Sequence, residues 1–149
     1  MKSPDAVHYR LKANSKKTLL QKLSESLAEA TGLEARDIFD RLTEREKLGS
    51  TGMGGGIAIP HARMENLDRV YTIFATMDEG VDFESIDEQP VDLVFVLLAP
   101  QEAGADHLQA LAAASRLLRT ADFCMRVRGA SSVDAVESLL LNYDSAIAA

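Results

Sequence analysis

Leu19, Leu20, Leu23 and Leu27 recur at the three- and four-residue spacing that lays side chains along one stripe of a helix. Asn14 or Ser15 stands where the first turn needs an acceptor for its free N–H groups, and Gly32 where a left-handed residue can end the run. Ala35, Ile38, Phe39 and Leu42 repeat the spacing, so a second helix is expected over residues 34–47 with Gly49 just past its end. The two form an α-hairpin.

Between and after them the period changes. Residues 7–13 read as a short edge strand, Ile57-Ala58-Ile59 as a brief extended segment before Pro60, and residues 70–77 and 91–98 as strands. The last is almost entirely apolar, as a central strand covered on both faces must be. Asp106 with Gln109 has the spacing of a capping box, and Leu108, Leu111, Ala112, Ser115 and Leu118 continue as a helix starting near His107. Residues 120–128 suit a short helix, and Ser131 or Ser132 caps a last one carrying Val133, Val136, Leu140 and Tyr143. Alternating helices and strands of this kind imply one α/β domain, residues 1–149, with a largely parallel sheet and helices on both faces.

Composition narrows the function. A chain of 149 residues that is 46% hydrophobic and 26% charged can build a core without metal or disulfide. Its net charge of −7 opposes the electrostatic term that dominates nucleic-acid binding, so no nucleic-acid partner is expected. The single cysteine, Cys124, lies in the apolar run Phe123-Cys124-Met125 and reads as a buried small hydrophobe. The N-terminus lacks the apolar core of a signal peptide and no apolar run approaches 18 residues, so the protein is expected to be cytoplasmic and not membrane-spanning.

Candidate chemistry gathers around two of the three histidines, His61 and His107, each just beyond the end of an expected strand, where open α/β sheets bind ligands. His107 falls in the first turn of its helix, where the macrodipole attracts anions and disfavours imidazolium. His61 follows Pro60 and a segment, residues 49–56, that holds five of the nine glycines and could bring backbone N–H groups close to an anion. The plainer role of those glycines is a tight turn. Arg45 continues the apolar stripe of the second helix, where a charge needs a partner; it could snorkel at the helix end or offer its fork to phosphate oxygens. No Lys-Ser or Lys-Thr follows the glycines, and Ile57 falls where the dinucleotide fingerprint needs glycine, so nucleotide binding is not expected. Two histidines 46 positions apart, with Glu65 or Asp106 as a third ligand, lack HxxE or CxxC spacing, so no metal or cofactor is expected.

Over residues 42–61, Leu-Thr-Glu-Arg-Glu-Lys-Leu-Gly-Ser-Thr-Gly-Met-Gly-Gly-Gly-Ile-Ala-Ile-Pro-His, the sequence resembles the IIA domain of the fructose/mannitol type in the bacterial phosphotransferase system. The likeness continues through Gln89-Pro90-Val91-Asp92-Leu93-Val94-Phe95 and Asp106-His107-Leu108, spans about residues 15–141, and is nearest to the nitrogen-related IIA proteins. The resemblance implies a mixed, mostly parallel sheet flanked by helices on both faces. It also implies phosphorylation of His61, with His107 as second active-site histidine and Arg45 beside them, and a histidine phosphocarrier protein as donor. The downstream partner would be a regulatory protein or a IIB domain. The chain ends without a fused IIB or membrane segment, so a regulatory role is favoured over sugar uptake with separate partners. Gly55 stands where the family often carries asparagine, aspartate or histidine. A different class of function, an interaction module whose histidine is never modified, stays open on the residues alone.

Overall fold

In the computed structural model, which describes residues 3–148, the elements run β1 (Ala6–Leu11), α1 (Lys16–Thr31), α2 (Ala35–Lys47), β2 (Gly52–Gly54), β3 (Ile57–Ala58), β4 (His61–Met64), β5 (Tyr71–Val81), β6 (Val91–Pro100), α3 (Ala105–Leu118), α4 (Ala121–Arg128) and α5 (Val133–Ala148). Period-two alternation along the strands divides the core in two. On β6, Val94, Val96 and Leu98 join one cluster with Leu19, Leu23, Ile38 and Leu42 of α1 and α2. Leu93, Phe95 and Leu97 join the other, with Leu117, Phe123 and Val136 of α3, α4 and α5. Both faces of β6 are therefore roofed by helices, as its unbroken apolar run requires.

The sheet order is β1-β5-β6-β3-β2, with β4 also paired to β6. Three of these pairings, β1–β5, β3–β6 and β4–β6, are parallel, which is the mixed, mostly parallel sheet expected. The longest, β5–β6, is antiparallel. Its link, residues 82–90, is too short to hold a crossover helix, which a parallel return would need.

Side-chain caps form at the starts of α1 and α5, and the one expected for α3 does not. Ser15 Oγ accepts the Thr18 N–H at 3.1 Å, and Gly32 closes α1 at φ 80° with its N–H on the Ala28 carbonyl. Ser132 Oγ accepts the Ala135 N–H at 3.1 Å at the start of α5. The Asp106–Gln109 capping box does not form, because α3 begins at Ala105 with Gly104 as its N-cap, so Asp106 already lies inside the helix. Cys124 is buried as expected, its thiol donating to the Leu118 carbonyl and pushed up in pKa chiefly by burial.

The glycine-rich segment folds as a hairpin. β2 and β3 pair antiparallel, and Gly54 at the end of β2 and Gly55 and Gly56 in the turn all have left-handed φ (87°, 67° and 81°). Gly52 is required for a different reason. The strap of residues 82–90 lies directly over it, so a Cβ there would sit 2.1 Å from Ser85 Oγ and 3.1 Å from Ser85 Cα. Gly52→Ala should therefore cost about 1–3 kcal/mol through overpacking, partly recovered by adding Ser85→Gly; urea denaturation midpoints of the single and double variants check this, and an unchanged midpoint for Gly52→Ala would refute the close approach.

Candidate active site

β3 and β4 are two pieces of one course along β6. Ile57 and Ala58 pair with Leu93 and Val94, and His61 and Ala62 resume opposite Leu97 and Leu98. Pro60 stands in the break. It has no N–H to give a neighbouring strand, but its carbonyl accepts the Leu97 N–H at 3.0 Å and keeps the course attached. His61 thus opens a strand of its own, whereas the sequence suggested a loop residue beyond a strand end.

Alternation then aims the side chains. Ala62 and Met64 enter the core beneath α1 and α2, so His61 and Arg63 point to the opposite face, where α3 lies. The first turn of α3 brings His107 to the same place. The two imidazole rings lie 5.7 Å apart, centroid to centroid, and are tilted by 51°. His61 is half-buried; His107 is only 6% exposed, and its Nδ1 is buried with no hydrogen-bond partner.

His61 Nδ1 lies 2.8 Å from the Ile59 carbonyl oxygen. A carbonyl can only accept, so the proton sits on Nδ1 and Nε2 keeps its lone pair. Burial is the main influence lowering the His61 pKa from 6.5; the Ile59 bond opposes it, the Arg45 charge reinforces it, and Glu46 opposes it more weakly. His107 is lowered as well, first by burial, then by His61 and Arg63. The sequence predicts a neutral His107 from the helix dipole; the neutral form is favoured, with burial as the leading cause.

Arg45 is half-buried at the end of α2, and its Nη1 donates to the Gly49 carbonyl at 2.9 Å. The helix-end reading of this residue fits that contact, which holds the chain just past α2, and its charge also bears on His61. The glycines do not act as one anion cradle. Gly56 takes the Asp92 and Leu93 N–H groups on its carbonyl, whereas Pro60 takes that of Leu97, so the hairpin turn lies about 15 Å along β6 from the histidines. The Gly55 N–H is occupied by Asp87, that of Gly52 by Ser50 Oγ, and that of Thr51 by Glu46. Arg128 holds the turn from outside, donating to Asp92 and to the Gly55 carbonyl. Gly55, where the resemblance noted a departure, therefore bears on the turn and not on the histidines.

Two contributors were missed. Arg63 follows His61 by two residues and shares its face, which the two-residue period would have shown had a strand been expected there. Glu46, buried and beside Arg45 in sequence, binds both Thr51 donors and Lys16. Alternate charges at a helix end looked like ordinary surface.

The helix-roofed mixed sheet is the fold of the IIA proteins this chain superposes on, and over residues 1–143 the chain belongs to the family described as "Phosphoenolpyruvate-dependent sugar phosphotransferase system, EIIA 2". It is a IIA-type phosphocarrier. It is 49% identical over 138 residues to the "Nitrogen regulatory protein" of Bradyrhizobium diazoefficiens, covering 93% of this chain and 90% of the relative. The protein of that name from Pseudomonas aeruginosa is 40% identical, with 86% of this chain and 84% of the relative covered. The crystal structure of nitrogen regulatory protein IIA-Ntr from Neisseria meningitidis superposes with a TM-score of 0.84 at 33% identity, over 91% of this chain and 92% of that one.

Because burial depresses both imidazoles, the unfolded chain takes up protons first as the pH falls. Stability from these groups is complete above about 6.5 and is lost as the pH drops from there through the lower folded-state values. His8, lowered mainly by burial, adds in the same direction. Urea midpoints should fall between about pH 7.5 and 5.5, and His107→Gln should flatten part of that slope; a variant as pH-sensitive as the parent would show that His107 is not held neutral.

Proposed function

We propose that His61 accepts a phosphoryl group on Nε2 from a histidine-phosphorylated carrier protein and that the chain serves the nitrogen-related regulatory branch in the cytoplasm. The observation that carries this reading is the Ile59 carbonyl on Nδ1, which leaves Nε2 as the free nucleophilic nitrogen. In the transfer, the Nε2 lone pair forms the new N–P bond while the P–N bond to the carrier's imidazole breaks and its electron pair returns to that ring. The imidazolium charge moves with the phosphoryl group, and Nδ1–H stays on the Ile59 carbonyl.

Little covalent work is left for the protein beyond placing this ring and receiving charge on the three equatorial oxygens. Arg45 and His107 are the groups assigned to those oxygens. His107, kept neutral, donates one hydrogen bond without competing for the phosphorus. The rim suits a protein donor, since Leu48 at the end of α2 is 85% exposed and Leu108, next to His107, is 65% exposed. The regulatory branch is favoured by the relatives, and the downstream partner is accordingly a regulatory protein in preference to a IIB domain.

Incubation with phosphoenolpyruvate, enzyme I and the cognate carrier, followed by mass spectrometry, should place one phosphate on His61. His61→Ala should fold and take up none; full labelling of that variant would move the acceptor to another residue, whereas a wild-type chain that takes up no phosphate would leave the interaction-module reading. Arg45→Lys keeps the charge but loses the planar fork, and should slow single-turnover transfer roughly ten- to a hundredfold. His107→Ala should still label at His61, at a reduced rate.

A further inference from the structure

A histidine that must meet phosphorus in line depends on whatever holds the carbonyl behind it, and here that carbonyl belongs to a weakly specified piece of chain. Ile59 lies between β3, which is two residues long, and the break at Pro60. β2 and β3 share only two register pairs, with a shift between them, and β2 is Gly-Met-Gly. So short and glycine-rich a pairing has little side-chain packing to fix its register. One of its outer hydrogen bonds is the Ile59 N–H on the Thr51 carbonyl, at 3.1 Å.

Thr51 is secured from the other side by a buried carboxylate. Glu46 Oε1 accepts the Thr51 N–H at 3.0 Å, and Oε2 accepts the Thr51 hydroxyl. The Glu46 side chain is 4% exposed and forms an ion pair with Lys16 Nζ at 3.1 Å; Lys16 in turn lies over the Phe83 ring, 4.6 Å from its centroid. A carboxylate withdrawn from water to this extent needs every one of those donors. Side chain and backbone thus form an unbroken series of contacts: Lys16 to Glu46, Glu46 to both donors of Thr51, the Thr51 carbonyl to Ile59, and the Ile59 carbonyl to His61 Nδ1.

We propose that Glu46 is a positioning residue for His61, acting through Thr51 and Ile59 to hold the imidazole as the Nδ1–H tautomer with Nε2 directed at the incoming phosphoryl group. This rests on the reading of His61 as phosphoryl acceptor. Glu46 touches neither reacting atom. The Glu46 carboxylate faces Lys16 directly, with Glu84 on the far side of that lysine and Arg45 next to it in the chain. Its role is thus to fix geometry at Thr51 as well as to supply a charge.

Thr51→Val is the main test, because it removes only the hydroxyl while keeping the N–H and the shape. In nitrogen-15 spectra of the unphosphorylated full chain, above the imidazole pKa, wild-type His61 should be almost wholly Nδ1–H. Thr51→Val should raise the Nε2–H fraction several-fold and slow single-turnover labelling roughly tenfold. Thr51→Ser should restore both. Glu46→Gln, which keeps one acceptor, should fall between; it supplies the same two readouts if Thr51→Val does not fold. A folded Thr51→Val with lower denaturation midpoint but wild-type tautomer and labelling rate would overturn the proposal and leave Glu46 a purely structural anchor. The tautomer is read without phosphate, so it judges this relay even if wild-type His61 fails to label, a result that would instead remove the acceptor assignment.

Discussion

Everything in this molecule is hung on β6. It is the one strand that hydrogen-bonds to β5 along one side and to β3 and β4 along the other, with both faces covered by helices. Backbone groups in so dry a position must be paired, so the course beside β6 has to continue even where Pro60 interrupts it. The Leu97 N–H is served by the Pro60 carbonyl, and the chain re-enters the sheet at His61. The place of the histidine is thus a consequence of satisfying the central strand. Its facing follows from the pleat, and its partner from the helix that β6 leads into.

Much of this was legible in the sequence. The leucine stripe of α1, its serine cap and its glycine stop, and the fully apolar β6 each rest on local rules that tertiary contacts had no reason to override. His61, His107 and Arg45 were singled out by their positions, and the structure puts the two rings together with the Arg45 charge acting on the first. What escaped was non-local. β4 is four residues with a mixed pattern that exists because β6 needs a neighbour, so Arg63 could not be placed beside His61. The capping box failed because Gly104, at φ 58°, starts the helix two residues earlier than Asp106 allows. The glycines were grouped by proximity in sequence, but a hairpin sends one end of the segment toward the histidines and the other away from them.

Charge adds a contrast of scale. The chain carries −7 overall, yet the residues acting on the histidine pair include the cations Arg45 and Arg63. Around a half-buried ring the local field outweighs distant surface carboxylates, because exposed charges more than a Debye length away are screened.

The separation between the two ends of the glycine segment makes the hairpin a lever with unlike tips. At one tip Thr51 is locked to the interior; at the other Gly55 is exposed, and beyond its own chain neighbours nothing lies within 4 Å of where a Cβ would stand. At φ 67° that outer position suits glycine or asparagine, and a short side chain there would project into water. Sequence drift at the outer tip can therefore change the outline of the molecule there while the buried contacts of Thr51 keep their geometry, so that one glycine-rich stretch is free at one end and bound at the other.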